Sequence, residues 1–160
     1  MMDINAAGQA VKDFQELLNR TPPEAEHIRI SPDAWTLTEI VGHLVDSACN
    51  NHQRFVRLGL GDLENFPGYQ AEQWVQTQNY DACDFGALAL LWASYNALLL
   101  HVAVSVPRQA LGNVWIDTES EYTLEYLIED YYVHLQLHTG HYAEQLEQVL
   151  AQVHGERKVC

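Results

Sequence analysis

Basic residues are scarce in this chain. Eight Lys and Arg stand against 22 Asp and Glu among 160 residues, a formal net charge of −14. Such a balance repels nucleic-acid backbones, and no local cluster of bases offsets it, so DNA or RNA binding is not expected. Cysteine is sparse: Cys49, Cys83 and Cys160 form no CxxC pair and no disulfide framework, as suits a reducing compartment. No apolar run reaches the ~20 residues of a membrane span, and the opening MMDINAAGQAVKD lacks the basic-then-apolar order of a signal peptide. A cytoplasmic protein without membrane contact is the expectation. Low-complexity stretches and internal repeats are absent as well, and a hydrophobic content of 48% excludes disorder. A chain of this length buries roughly 70% of its unfolded surface, enough for one domain over residues 1–160.

Strand-like alternation is missing, apart from a short candidate at Val114-Trp115-Ile116. Helical spacing is present instead. Residues 8–20 place Val11, Phe14, Leu17 and Leu18 on one face and stop at Thr21-Pro22-Pro23. Thr36-Leu37-Thr38-Glu39 reads as a capping box that opens a helix to about Leu58, with Ile40, Leu44, Ala48, Phe55 and Leu58 on its apolar face. Gly59, Gly61, Pro67 and Gly68 break it, and a short helical AEQWVQTQ follows. Asp84 caps a third long helix that ends at Pro107. It is apolar almost all round and is therefore expected at the centre, with Leu88, Leu91, Trp92, Leu98 and Leu99 covering several faces. Thr123 starts the last helix, which runs to about His154. Four long helices with an extended first connection predict an all-α bundle.

Three histidines share one stripe of the last helix. At roughly 100° per residue, His134, His138 and His141 fall within an arc of about 60° beside the apolar face. About ninety residues earlier, His43 flanks the apolar face of the second helix, in a stripe with Asp46, Ser47, Asn50 and Arg54. Two such stripes can meet to line a pocket, and imidazoles one turn apart can grip one cation with a third from a neighbouring helix. Any one of these histidines alone reads as an ordinary surface or core residue. HxxxH is common in helices, and without the Glu of HExxH it does not point to a zincin protease. His27, His52, His101 and His154 show no such grouping, and His52 points away from His43 on the same helix.

The segment WTLTEIVGHLVDSACNNHQRFVRLGL resembles the first metal-bearing segment of the DinB/YfiT-like superfamily, in its YfiT-like branch of metal-dependent hydrolases. Trp35, His43-Leu44, Asp46-Ser47 and Arg54-Phe55 carry the likeness, and His134, His138 and His141 resemble the second motif. Together they span about Trp35 to Val149. The resemblance implies an up-down-down-up four-helix bundle with one divalent metal ion, nickel or zinc, held by His43, His134 and His138. It places His141 at the trailing position, on the open face or behind the ligands. One departure is Leu137, where the family often has a second histidine. The spacing itself leaves open the pair His138 and His141, with His134 outside. The resemblance also implies pairing into a homodimer through helix faces, and relatives that include transferases of low-molecular-weight thiols.

Three neutral imidazoles leave a bound ion its full charge, which can acidify a water or hold a thiol as its thiolate. Asp46, one turn after His43, is a candidate to orient an imidazole or act as a base. Arg54 is a candidate anchor for an anionic small-molecule substrate, and a helix-surface ion pair is its plain alternative. The expected function is a metal-dependent hydrolase or thiol S-transferase. The alternative is a non-catalytic metal-binding stress or interaction protein.

Overall fold

The computed structural model describes residues 3–116 and 120–157, so terminal Cys160 lies outside it. Helix α1 (Ile4–Arg20) begins earlier than the apolar spacing indicated, because the Asp3 carboxylate accepts from the amides of Asn5 (2.9 Å) and Ala6 (3.2 Å). Helix α2 (Leu37–Leu58) opens with the expected capping box: the Thr36 amide donates to Glu39 at 2.7 Å and the Glu39 amide to Thr36 Oγ1 at 3.2 Å. A short strand β1 (Leu63–Glu64) and helix α3 (Ala71–Gln78) lead to α4 (Phe85–Ser105), which Asp84 caps through the Ala87 amide. Strands β2 (Val114–Ile116) and β3 (Glu121–Thr123) then precede the 34-residue α5 (Leu124–Arg157).

The four long helices form an all-α bundle in which α1, α4, α2 and α5 succeed one another around the core. Gly8 lies against Leu100 and Phe14 against Trp92, so α1 and α4 run antiparallel. The core is knitted by edge contacts of Phe14 with Trp92 (4.7 Å between centroids) and Tyr142 (5.2 Å). Tyr142 also shares a 2.8 Å hydrogen bond with Thr21, which fixes the end of α1 on α5. The candidate strand VWI is real but belongs to a three-stranded patch. Trp115 pairs with Leu63 in parallel and with Tyr122 antiparallel, closing the far end of α2.

Two expectations about α4 are corrected. Its neighbours bury only Phe85, Leu88, Trp92, Asn96, Leu99 and Ala103, whereas α2 buries 14 of its 22 residues and is the central helix. Leu91 and Leu98 lie on an outer face, with Leu90 and Val104. Helix α4 is also long and apolar enough to cross a membrane by length and composition, with a mean hydropathy of 1.7. Ser94, Tyr95, Asn96 and His101 interrupt its apolar run but add no charge. High hydrophobicity all round made it look central, yet burial follows which faces meet neighbours.

The segment between α2 and α4 makes one especially close approach to α2. The Tyr80 ring packs on the α2 backbone at Gly42, where an added Cβ would lie 2.2 Å from Tyr80 Cγ. In Gly42→Ala, overpacking of about 1–3 kcal/mol should outweigh the ~1 kcal/mol gain in helix propensity. The expected result is a lower urea midpoint in Gly42→Ala, and a much smaller effect of the same substitution made in a Tyr80→Ala background, which has already lost the ring and its Asp46 hydrogen bond. Additive effects of the two substitutions would show that the contact does not govern this segment.

Candidate metal centre

Helices α2 and α5 cross with His43 facing His134 and His138. One ligand atom from each of the three lies within 4.8 Å of the other two. The two α5 imidazoles are brought together by their one-turn spacing: Nε2 of His138 is 2.8 Å from Nε2 of His134, and their ring centroids are 4.4 Å apart. The His43 ring is 5.1 Å from that of His138 and 5.1 Å from Trp35. Trp35 packs beside His43, and its carbonyl accepts a hydrogen bond from Gln145 of α5. Access is graded across the site: His43 is buried, His138 half-buried and His134 exposed.

Desolvation sets the protonation of this cluster. Burial lowers the His43 pKa to about 4, with a further push from His134. The His138 pKa also falls to about 4, first by burial and then through His134, His43 and His141. Both rings are therefore neutral at pH 7, with lone pairs available to a cation and no proton to displace. The residues fit a divalent ion on structural grounds. The buried His43 Nδ1 has no hydrogen-bond partner, and the Nε2 atoms of His134 and His138 face each other at 2.8 Å. A three-histidine cluster capable of coordinating a divalent metal is thus present. His141 stands apart, exposed and with its ring centroid 6.3 Å from that of His138.

The polar stripe of α2 continues from His43 and is buried at Asp46, Ser47 and Asn50. Asp46 does not orient His43, as the sequence had suggested among its options. Instead Gln78 Nε2 donates to both carboxylate oxygens, at 2.9 and 3.0 Å, and Tyr80 Oη lies 2.7 Å from Oδ1. Tyr80 Oη is also 2.9 Å from Gln78 Oε1, so its one proton is shared between two acceptors. Burial raises the Asp46 pKa, against the lowering effect of these hydrogen bonds. Further along, Tyr69 hydrogen-bonds Ser47 and feels the charges of Asp46 and Arg54, with its own pKa raised mainly by burial. The Arg54 guanidinium lies 4.2 Å above the Trp115 ring and 3.4 Å from Asn51 Oδ1. Tyr69, Gln78, Tyr80 and Trp115 were not anticipated. Tyr69 and Tyr80 come from connections without periodicity, and Gln78 and Trp115 from the expected short helix and strand, whose spacing does not show which residues reach α2.

His27 and His52 hold peripheral roles. His27 Nδ1 lies 3.4 Å from Asp81, and His52 Nδ1 lies 3.2 Å from the Tyr95 hydroxyl on α4.

The depressed histidines give a signed pH effect on the metal-free fold. Their folded pKa of about 4 lies below the unfolded value of 6.5, so the unfolded chain takes up protons first. Stability from these groups is full above pH 6.5 and declines as pH falls through the window from 6.5 to about 4. Asp46, with its pKa raised, acts in the opposite sense at the acid end. Urea midpoints of chelator-treated protein should therefore fall from pH 7 to pH 5, and should fall less in His43→Gln/His138→Gln. An equal slope in that variant would show that other groups control the effect.

No protein-family model matches the chain, and no curated protein matches it. Among solved structures it is similar to YfiT from Bacillus subtilis, with a TM-score of 0.79 at 18% identity over 91% of this chain and 84% of that one. That protein is described as "a probable metal-dependent hydrolase with an unusual four-helix bundle topology". At this identity the likeness establishes a shared four-helix-bundle fold.

Proposed function

We propose that this protein is a divalent-metal-dependent hydrolase of a small-molecule substrate, with His43, His134 and His138 as the metal ligands. The observation that carries the reading is the convergence of three imidazoles from two helices, two of them kept neutral by burial. Three neutral nitrogen donors suit zinc or nickel and leave further coordination positions open. A divalent ion bound there supplies Lewis-acid charge that lowers the pKa of a water or a thiol. The description of YfiT as a probable metal-dependent hydrolase supports the same class.

The chain's own residues divide the remaining work. Asp46, one turn along α2, takes up a proton at its carboxylate more readily than a solvated acid does, since burial raises its pKa. Gln78 and Tyr80 hold that carboxylate in place. Arg54, fixed over Trp115, offers a cation to an anionic part of the substrate. His141 flanks the exposed side, where it tunes activity without holding the metal.

Elemental analysis followed by a screen of esters and amides, with zinc or nickel and with or without a small thiol, tests the proposal. Turnover should require the ion. His134→Ala/His138→Ala should lose both stoichiometric metal and turnover, by more than the ~10–100-fold that changes at outer hydrogen-bond partners cost. His141→Ala should keep the metal and alter the pH profile of activity. Loss of metal in His141→Ala, with retention in His134→Ala, would reassign the ligands to His138 and His141. Turnover only with the thiol would replace hydrolysis by thiol S-transfer. Metal binding without any turnover would make the site non-catalytic.

A further inference from the structure

The three-stranded patch and the start of α5 enclose a pocket apart from the three histidines. Direct pairing of Trp115 with Tyr122 across β2 and β3 sets their rings side by side, with centroids 5.8 Å apart. The Tyr126 amide donates to Thr123 Oγ1 at 3.2 Å, which fixes the first turn of α5. That turn lays Tyr126 on Tyr122, stacked at 5.6 Å with 24° between the planes. Arg54 of α2 closes one side over Trp115, Leu127 supplies an apolar floor and Asp130 stands at the rim. These six residues line a cavity of about 250 Å³ that opens to solvent. Trp115 and Leu127 are buried, whereas Tyr126 is 49% exposed.

Shape and charge select the occupant. A cavity of ~150 Å³ admits benzene, so this one has room for one or two fused rings with a small substituent. Interplanar angles of 35° and 24° along Trp115, Tyr122 and Tyr126 make a nearly continuous flat wall, which suits a planar ring better than an aliphatic chain. Aromatic faces beside Asp130 would also suit an organic cation, but the Arg54 guanidinium already covers Trp115 at 4.2 Å and repels one. An anionic substituent instead gains charge-assisted hydrogen bonds from Arg54, whose planar fork matches a carboxylate. The chain's net charge of −14 opposes an anion at long range, and physiological salt screens that field beyond about 8 Å.

The pocket lies on the same seam between α2 and α5 as the metal centre. Arg54 follows His43 by three turns on one stripe of α2, and Asp130 precedes His134 by one turn of α5, about 6 Å. We infer that this pocket binds a flat aromatic acid, with its ring on Tyr122 and Tyr126 and its carboxylate on Arg54. On the hydrolase reading, on which this further step rests, that acid is the end by which the substrate is recognised.

Calorimetric titration of the full-length protein with 2-naphthoate, as purified and after chelation, reads the pocket without any turnover. Binding should be one to one in both states. Tyr126→Ala should weaken it roughly tenfold through lost stacking, with unchanged helical circular dichroism, and Arg54→Gln by roughly tenfold or more. Decalin-2-carboxylate, similar in size but not flat, should bind roughly tenfold more weakly than 2-naphthoate. Absence of 2-naphthoate binding would overturn the inference, and equal affinity for decalin-2-carboxylate would do the same. Tighter binding of naphthyl-trimethylammonium would make the pocket a cation cage and overturn it as well. So would binding that survives Tyr126→Ala and Arg54→Gln but is lost in His134→Ala/His138→Ala, since the carboxylate would then sit on the metal. The hydrolase reading is separated by 6-acetoxy-2-naphthoate, an ester that keeps the free carboxylate. Binding of 2-naphthoate without cleavage of this ester supports the pocket and counts against the hydrolase. Cleavage of other esters without 2-naphthoate binding does the reverse.

Discussion

Helix α2 buries five polar side chains, Thr38, His43, Asp46, Ser47 and Asn50, in the same 22 residues that bury Leu37, Ile40, Val41, Leu44, Phe55 and Leu58. A buried polar group is costly unless it finds a partner, so the surroundings of this helix are organised by that demand. Thr38 donates to the Glu26 carbonyl, Asn50 to the Asp46 carbonyl, and Asp46 accepts from Gln78 and Tyr80. The connection between α2 and α4 is drawn down onto α2 to supply these partners. Its closest approach depends on Gly42, the one residue that leaves room for the Tyr80 ring. His43 Nδ1 remains without a partner, and it belongs to the residue that faces two histidines of α5.

The electrostatics of the cluster run against those of the whole chain. A protein of net charge −14 attracts cations at long range. Among the described residues no carboxylate takes part in the cluster, and desolvation keeps His43 and His138 neutral. The global field therefore favours the arrival of a positive ion, while neutral nitrogen donors leave its charge uncancelled. Asp46 is separated from the imidazoles by its own hydrogen bonds, so its proton affinity is set by burial and by Gln78 and Tyr80. The three-histidine cluster, built from α2 and α5, and the protonatable carboxylate on α2 thus have separate hydrogen-bond surroundings.

Local chemistry made much of this legible in advance. The capping box at Thr36, the Asp84 cap and the stop at Pro107 are interactions within a few residues, and α2, α3 and α4 fall where they indicate. The one-turn spacing of His134 and His138 follows from helix geometry alone, and the structure puts their Nε2 atoms 2.8 Å apart. Interactions between distant segments were less accessible. Residues 63–64, 114–116 and 121–123 are each too short to signal a sheet, and only their mutual pairing makes one. Tyr69 and Tyr80 reach the α2 stripe from aperiodic stretches, and Gln78 from the end of α3, where the spacing of so short a helix does not tell which neighbour it meets.

By itself the sequence determined where α2 and α4 start and stop, that four long helices form, and which histidines share a stripe. These properties depend on neighbours within about one helical turn. The tertiary structure alone decided that the less apolar α2 and not the more apolar α4 is central, because burial depends on how many faces meet other elements. It made α2 the hub and left one side of α4 bare. It also decided that His43 meets His134 and His138 while His141 stays outside, and that Asp46 turns to Gln78 and Tyr80. Each of those outcomes joins residues from different helices or connections, and their meeting is fixed by how the long helices pack.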